Sequence, residues 1–122
     1  MVKIVVLDDV LDAGILAQRV LSAADREIEV FTEEEDFLTY VRENPVDLVI
    51  LDIKLKKMSG IEVLEELKAV KSDIPAIILT GYPTLETARD ALRLGVAEYC
   101  VKPIDNDELE EKVAAVLTAS IQ

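Results

Sequence analysis

The sequence predicts a single doubly wound α/β domain, in which five parallel strands alternate with five helices that cover both faces of the sheet. The chain has 122 residues, which is the length of one domain. Short, nearly continuous apolar runs rich in β-branched residues recur along it, as in parallel strands that are covered on both faces. Segments of helical period separate these runs. The alternation predicts one βα unit after another.

The first half of the chain contains three predicted strands, at residues 4–7, 28–31 and 48–51. Thr32 with Glu35, and Ser59 with Glu62, fit the capping box that begins many helices. We therefore expect the second and third helices to begin after Thr32 and Ser59. The acidic run 33–36 suits the positive end of a helix dipole and is expected to lie in solvent.

The second half contains two predicted strands, at residues 76–79 and 97–101. Leu85, Ala88 and Leu92 are expected to face the core from the fourth helix, which Gly95 ends. The last helix has one apolar stripe at helical spacing, formed by Leu109, Val113, Val116 and Leu117.

The composition excludes several classes of function. A formal net charge of −12 repels phosphate backbones and anionic lipids, so we expect no direct binding to nucleic acid or membranes. The absence of histidine removes the commonest general base and every imidazole metal site. The single cysteine, Cys100, excludes an intramolecular disulfide and a multi-thiolate zinc site. Since the sequence has no signal peptide and no apolar run near the ~20 residues that span a bilayer, we expect a cytoplasmic protein.

Polar side chains follow the predicted strands where the strands end. Asp8 and Asp9 follow the first strand, Asp52 the third, Thr80 the fourth and Lys102 the fifth. Any one of them alone is explained as a helix cap, a turn residue or a solvated end. Together they lie at one edge of a parallel sheet, where sites in such folds form. Neighbouring carboxylates repel each other unless a cation lies between them, so the set predicts a cation site.

Magnesium fits this set best, because Mg²⁺ prefers hard oxygen ligands, binds few protein carboxylates and keeps several waters. Asp52, the middle carboxylate, is then a candidate nucleophile that attacks phosphorus. Thr80 and Lys102 supply a hydroxyl donor and a positive charge for the phosphoryl oxygens. Phosphoryl transfer needs little more than such positioning and charge neutralisation.

The same residues resemble the receiver domain of two-component response regulators. The resemblance rests on Asp8-Asp9, Asp52, Thr80 and Lys102-Pro103, together with the segments at 51–60 and 79–82. It extends from Lys3 to about Thr118, so residues 1–122 are interpreted as one receiver domain without an output domain. It implies a flavodoxin-like three-layer fold with strand order 2-1-3-4-5.

The resemblance also implies roles at the site. Asp52 is the phospho-acceptor. Mg²⁺ is held by Asp9, Asp52 and the backbone carbonyl of Lys54, and by Asp8 through a water molecule.

Further roles concern the phosphoryl group and the switch. Thr80 and Lys102 contact the phosphoryl group. The Thr80 hydroxyl moves toward the phosphate and the aromatic ring of Tyr99 follows it inward. The Lys102-Pro103 peptide bond is implied to be cis, with Pro103 directing Lys102 into the site.

The implied function is a phospho-accepting signalling switch and not an enzyme. The phosphoryl donor is the phosphohistidine of a sensor histidine kinase or of a histidine phosphotransfer protein. The switched surface is the face formed by helix 4, strand 5 and helix 5, through which a homodimer could also form.

Three alternatives stay open at this point. A small phosphatase with an aspartyl nucleophile needs a second Asp two residues after the first, which Asp8-Asp9-Val10 lacks. A flavodoxin-like electron carrier needs a hydroxyl- and Gly-rich loop after the first strand, where this chain is acidic. A phosphate-insensitive scaffold receiver would not require the complete acidic set.

The sequence departs from the family in the loop after Asp52. Lys56 replaces a proline that is common there, which predicts a more mobile loop. Lys54 and Tyr82 lie two residues beyond Asp52 and Thr80, where receivers control the access of water to the phosphate. A long cation and an aromatic ring at these positions predict slow dephosphorylation.

Overall fold

A computed structural model, which describes residues 1–23 and 25–121, contains the predicted alternation of strands and helices. The strands are β1 (Val2–Leu7), β2 (Arg26–Phe31), β3 (Leu48–Leu51), β4 (Ala76–Thr80) and β5 (Glu98–Val101). The helices are α1 (Leu11–Leu21), α2 (Glu34–Glu43), α3 (Gly60–Val70), α4 (Leu85–Arg93) and α5 (Asn106–Ile121). All strand pairs are parallel and the order is β2-β1-β3-β4-β5, so the predicted fold class and strand order are confirmed.

Successive strand residues point into two different cores, one on each face of the sheet. Val5 and Leu7 of β1 belong to the core that α2, α3 and α4 cover. Ile4 and Val6 belong to the core that α1 and α5 cover. Because both faces are covered, every residue of β3 and β4 is buried. In β3 and β4, polar side chains occur only at the end of the strand or just after it.

The two predicted capping boxes have different outcomes. Ser59 and Glu62 bond each other's backbone N–H, at 3.2 and 3.3 Å, so this prediction is confirmed. The prediction for Thr32 is wrong, because α2 begins at Glu34 after Glu33 and has no side-chain cap. The prediction that the whole acidic run 33–36 lies in solvent is also wrong for Glu34, which is only 1% exposed. Its carboxylate instead bonds the loop between β3 and α3.

The predicted core face of α4 is wrong at its two leucines. Leu85 and Leu92 are 70% and 77% exposed, whereas Ala91 is fully buried. The stripe that faces the protein is rotated, because Thr87 bonds Tyr99 and Leu94, just after the helix, packs against the core.

The other expectations for the helices hold. Gly95 follows α4 with φ of 78°, the left-handed conformation that ends a helix. Leu109, Val113 and Val116 of α5 are buried and Leu117 packs beside them, which confirms the predicted stripe. Over the described ranges, no helix combines the length and apolar character needed to cross a membrane.

Helix α3 begins in direct contact with the end of β3. The N–H of Gly60 donates to the carbonyl oxygen of Ile53 at 2.7 Å. A Cβ atom at Gly60 would lie 2.0 Å from the carbonyl oxygen of Asp52 and 2.8 Å from the Cα atom of Ile53. Both are backbone atoms that cannot rotate away, so this contact requires glycine.

We expect Gly60→Ala to lower the free energy of unfolding by about 1–3 kcal/mol or more, since the added methyl group forces the backbone of α3 away from Asp52. Gly81→Ala is the matched control, because its Cβ would meet only the Cβ of Lys102, at 4.0 Å. Urea denaturation of both variants measures the difference. Equal stability of the two variants would contradict the close contact.

Candidate functional site

Three carboxylates meet at the carboxyl edge of the sheet. Asp8 follows β1 and Asp52 follows β3, and both are buried, whereas Asp9 is partly exposed. The three side chains each offer an oxygen within 4.8 Å of the others. The backbone holds two of them there, since the N–H of Asp8 donates to Phe31 and that of Asp52 to Leu7, both at 3.0 Å. The sheet therefore imposes the crowding of negative charge that the sequence predicts.

Lys102, just after β5, provides a positive charge at this cluster. Its Nζ lies 2.6 Å from Oδ2 of Asp8 and 3.2 Å from Oδ2 of Asp52. Burial alone would lower the pKa of Lys102, but the bond to Asp8 and the charges of Asp8 and Asp52 outweigh burial and raise the pKa. The ammonium is therefore charged at neutral pH. The Lys102-Pro103 peptide bond is cis, as the resemblance implies.

Thr80, the last residue of β4, lies fully buried at the same edge. Its Oγ1 accepts the N–H of Tyr82 at 3.0 Å, and its carbonyl oxygen accepts the N–H of Lys102 at 2.8 Å. Among the described residues, no acceptor takes the hydroxyl proton of Thr80, which can therefore donate a hydrogen bond to another group. This backbone hydrogen bond fixes the position of Lys102 relative to Thr80.

The side chains of Lys54 and Tyr82 contact each other across two loops. The Nζ of Lys54, after β3, lies 4.4 Å from the centre of the Tyr82 ring, after β4. This is the geometry of a cation–π interaction, and both residues are exposed. The pair therefore links the loop that follows Asp52 to the loop that follows Thr80.

Tyr99 of β5 contacts α4, a link that sequence reasoning missed. Its hydroxyl lies 2.9 Å from Oγ1 of Thr87, in the first turn of α4. Thr87 also forms a reciprocal cap with Thr84, whose Oγ1 accepts the N–H of Thr87 at 3.1 Å. The spacing of the two threonines at a helix start is a local signal of this cap, but not of the contact with Tyr99. The hydroxyl of Tyr99 is therefore bound to the N-terminal turn of α4.

The expected site residues fall into two groups. Asp8 and Asp52 each accept a hydrogen bond from Lys102, and Asp9 completes the carboxylate cluster. Within the part of the chain that the structure describes, the side chains of Thr80, Lys54 and Tyr99 make no hydrogen bond to these carboxylates. These three lie in neighbouring strands and loops instead.

The carboxylate cluster fits a divalent cation with hard oxygen ligands. Three carboxylate oxygens within 4.8 Å of one another match the donors that Mg²⁺ prefers. Lys102 contacts two of these carboxylates and offsets only part of their negative charge. A divalent ion would offset the remainder.

Comparison with known proteins agrees with this geometry. The chain matches the family described as the response regulator receiver domain over residues 4–114. It belongs to that family. Receiver domains are signalling domains that accept a phosphoryl group and act with histidine kinases or phosphotransfer proteins.

Two relatives differ in how much of their length this receiver domain matches. It is 34% identical to the transcriptional regulatory protein ZraR of Salmonella typhimurium over 95% of this chain and 26% of ZraR. It is 31% identical to sporulation initiation phosphotransferase F of Bacillus subtilis over 94% of this chain and 93% of that protein. The chain thus spans about a quarter of the transcriptional relative and nearly all of the phosphotransferase.

Solved receiver structures have the same fold. A CheY-like receiver domain protein from Methanospirillum hungatei JF-1 superposes with a TM-score of 0.95 at 26% identity. The match covers 99% of this chain and 97% of that one.

Lys102→Met tests the electrostatics of the cluster in this receiver domain. We expect the free energy of unfolding in metal-free buffer at pH 7 to fall by about 1–3 kcal/mol, because the carboxylates lose a charged hydrogen-bond partner. The loss should shrink above the ordinary Lys pKa of 10.5, as the wild-type ammonium loses its proton through its raised pKa.

The matched control is Lys112→Met, which removes a surface ion pair with Glu98 at 3.0 Å. An exposed pair of this kind contributes about 0–1 kcal/mol. Urea denaturation at pH 7 and at about pH 11, above the ordinary Lys pKa, compares the two variants. A Lys102→Met protein as stable as the control at pH 7 would contradict the proposed role of the ammonium.

Proposed function

We propose that this receiver domain is a switch that accepts a phosphoryl group on Asp52 from the phosphohistidine of a sensor histidine kinase or histidine phosphotransfer protein. The observation that carries the proposal is the position of Asp52. Its carboxylate lies buried within 4.8 Å of the carboxylates of Asp8 and Asp9, and 3.2 Å from the Lys102 ammonium. Family membership over residues 4–114 supports the same conclusion.

The transfer is a substitution at phosphorus. A carboxylate oxygen of Asp52 forms a bond to phosphorus while the bond from phosphorus to the donor nitrogen breaks. The electron pair of that bond stays on the donor imidazole. Lys102 offsets negative charge on the phosphoryl oxygens, and the Thr80 hydroxyl donates a hydrogen bond to one of them. Water then attacks the phosphorus and restores the Asp52 carboxylate with release of phosphate.

The carboxylate cluster would also hold Mg²⁺. Asp9, Asp52 and the carbonyl of Lys54 would bind the ion directly, and Asp8 through a water molecule. Bound there, the ion supplies positive charge that stabilises the transferring phosphoryl group. The three clustered carboxylates support this assignment.

The switch would pass from Thr80 to α4 through Tyr99. Movement of the Thr80 hydroxyl toward the phosphoryl group makes room for the Tyr99 ring to turn inward. The bond between Tyr99 and Thr87 couples that ring to the start of α4. The exposed side chains of Leu85, Leu92 and Val101 make the face formed by α4, β5 and α5 suitable for a protein partner or a second copy.

The charge of the domain and its relatives suggest its partners, its location in the cell and the pathway type in which it acts. A net charge of −12 favours protein partners over nucleic acid or anionic membranes, and kinase partners place the domain in the cytoplasm. The relatives suggest two settings for the same reaction. One is a phosphotransfer relay, as the name of the Bacillus subtilis relative describes, and the other is the control of a transcriptional regulator.

Incubation with acetyl phosphate, followed by intact-mass analysis, tests the acceptor and the metal together. We expect one added phosphoryl group with Mg²⁺ and little or none without it. Asp52→Asn should abolish the addition, because an amide oxygen is a poor nucleophile. Asp12→Asn, an exposed carboxylate in the first turn of α1, is the control and should be modified like the wild type.

Labelling that persists in Asp52→Asn would contradict the acceptor assignment. Continuous turnover of a generic phosphate ester would favour the aspartyl phosphatase instead. A wild type that takes up no phosphoryl group from acetyl phosphate or a cognate kinase would leave the scaffold alternative.

Tyr82→Ala tests the cation–π pair as a restraint on dephosphorylation. We expect the half-life of the phosphorylated form to fall about two- to fivefold, the factor that corresponds to losing an exposed cation–π interaction of about 0.5–1 kcal/mol. Tyr82→Phe keeps a ring beneath Lys54 and should keep most of the half-life. Loss of radiolabel over time measures it, and an unchanged half-life in Tyr82→Ala would remove the hypothesis.

A further inference from the structure

Glu34, at the start of α2, has a buried carboxylate that the proposed mechanism does not use. It is 1% exposed, while the next residue, Glu35, lies in solvent. Its Oε2 accepts the N–H of Lys57 at 2.6 Å and the N–H of Met58 at 2.9 Å. Both donors belong to the loop of residues 53–59, which follows Asp52 and joins β3 to α3. A charged group of one segment thus binds the backbone of another, 23 residues away.

The carboxylate of Glu34 is held in its charged form. Burial alone would raise its pKa, but hydrogen bonds from its own N–H, Lys57 and Met58, and the charge of Lys57, lower the pKa. Charge-assisted hydrogen bonds are about twice as strong as neutral ones. The link between α2 and the loop is therefore a strong contact at neutral pH.

The loop is fixed on both sides of a short segment. On one side, the carbonyl of Ile53 accepts the N–H of Gly60 at 2.7 Å, and its N–H donates to Oδ1 of Asp52 at 2.7 Å. On the other side, Glu34 holds Lys57 and Met58. Residues 54–56 lie between these two anchors, and we expect the anchors to restrict their conformational freedom. This segment contains Lys54, whose carbonyl is the proposed metal ligand and whose ammonium contacts Tyr82.

A second link between the same two segments is weak. Lys56 pairs with Glu33 at 3.0 Å, but both side chains are about half exposed, at 49% and 41%. Surface pairs of this kind contribute about 0–1 kcal/mol. The restraint on the loop therefore depends on Glu34.

We infer that Glu34 is a positioning residue for the phosphorylation site. Its carboxylate holds the loop of residues 53–59, and with it the carbonyl of Lys54 that we propose as a metal ligand and the ammonium of Lys54 over the Tyr82 ring. Lys56 occupies a position where the family commonly has proline, and the Glu34 contact supplies a restraint that proline would otherwise give. The inference rests on the proposed function, because it assigns Glu34 a part in the same site.

The experiment compares Glu34→Ala, Glu34→Gln and Glu35→Ala with the wild type, each as the full chain. Isothermal titration calorimetry gives the Kd for Mg²⁺, and hydrogen exchange followed by NMR gives the protection of the Lys57 and Met58 amides. Glu34→Ala should weaken Mg²⁺ binding about tenfold, as is typical when a group that orients a metal ligand is lost. It should also speed exchange at both amides.

The other two variants show whether the effect comes from the charge of Glu34 and whether any change in this turn of α2 would cause it. Glu34→Gln keeps an oxygen that accepts both bonds but lacks the charge, so its losses should be smaller than those of Glu34→Ala. Glu35→Ala changes an exposed carboxylate in the same helical turn and should leave the Kd and the exchange rates unchanged.

A folded Glu34→Ala protein with the wild-type Kd for Mg²⁺ would overturn the inference, even if it is less stable, because a purely structural role predicts that result. If Glu34→Ala does not fold, Glu34→Gln decides: a weaker Kd with faster exchange at Lys57 and Met58 supports the inference, and any other result overturns it. The wild type tests the proposed function separately. If it binds Mg²⁺ but is never phosphorylated, the proposed function is wrong. The Kd values of the Glu34 variants still test the effect of Glu34 on Mg²⁺ binding.

Discussion

The Lys102 ammonium lies between Asp8 and Asp52, and its two contacts offset part of the repulsion among the three carboxylates at the end of the sheet. The backbones of Asp8 and Asp52 are hydrogen-bonded to neighbouring strands, which limits how far these two carboxylates can move apart. The residual negative charge favours a cation at this edge, as the proposed magnesium site requires. The sheet, with a separate core on each face, keeps the strand ends rigid enough to sustain that crowding.

The fold and the central site residues could be predicted because both depend on patterns that are local in sequence. Continuous apolar runs located all five strands to within two residues at each end. Topology then placed Asp8, Asp52 and Lys102 at one edge, since parallel strands end on the same side. The capping box at Ser59 was also local, because both partners lie within four residues.

The features that sequence reasoning missed depend on contacts between distant segments. Glu34 belongs to an acidic run that suits a solvated helix start. Its carboxylate is buried because the loop at Lys57 approaches it and supplies backbone N–H donors in place of water. In α4, Leu85 and Leu92 fit a core-facing stripe as well as Ala91 does. The rotation of the helix is decided by Thr87 against Tyr99, which is 12 residues away. Periodicity alone cannot distinguish these faces.

The exposed leucines of α4 bear on how firmly this helix is held against the rest of the domain. Within this helix, whose residues are all described, Ala91 is the one buried side chain, so the contact with the protein removes little apolar surface from water. A methyl group contributes on the order of 1 kcal/mol of burial energy, far less than the leucines would if they were packed inside. Displacing α4 would therefore cost little burial energy, so in the proposed switch a small energy difference at the strand ends would be enough to move it.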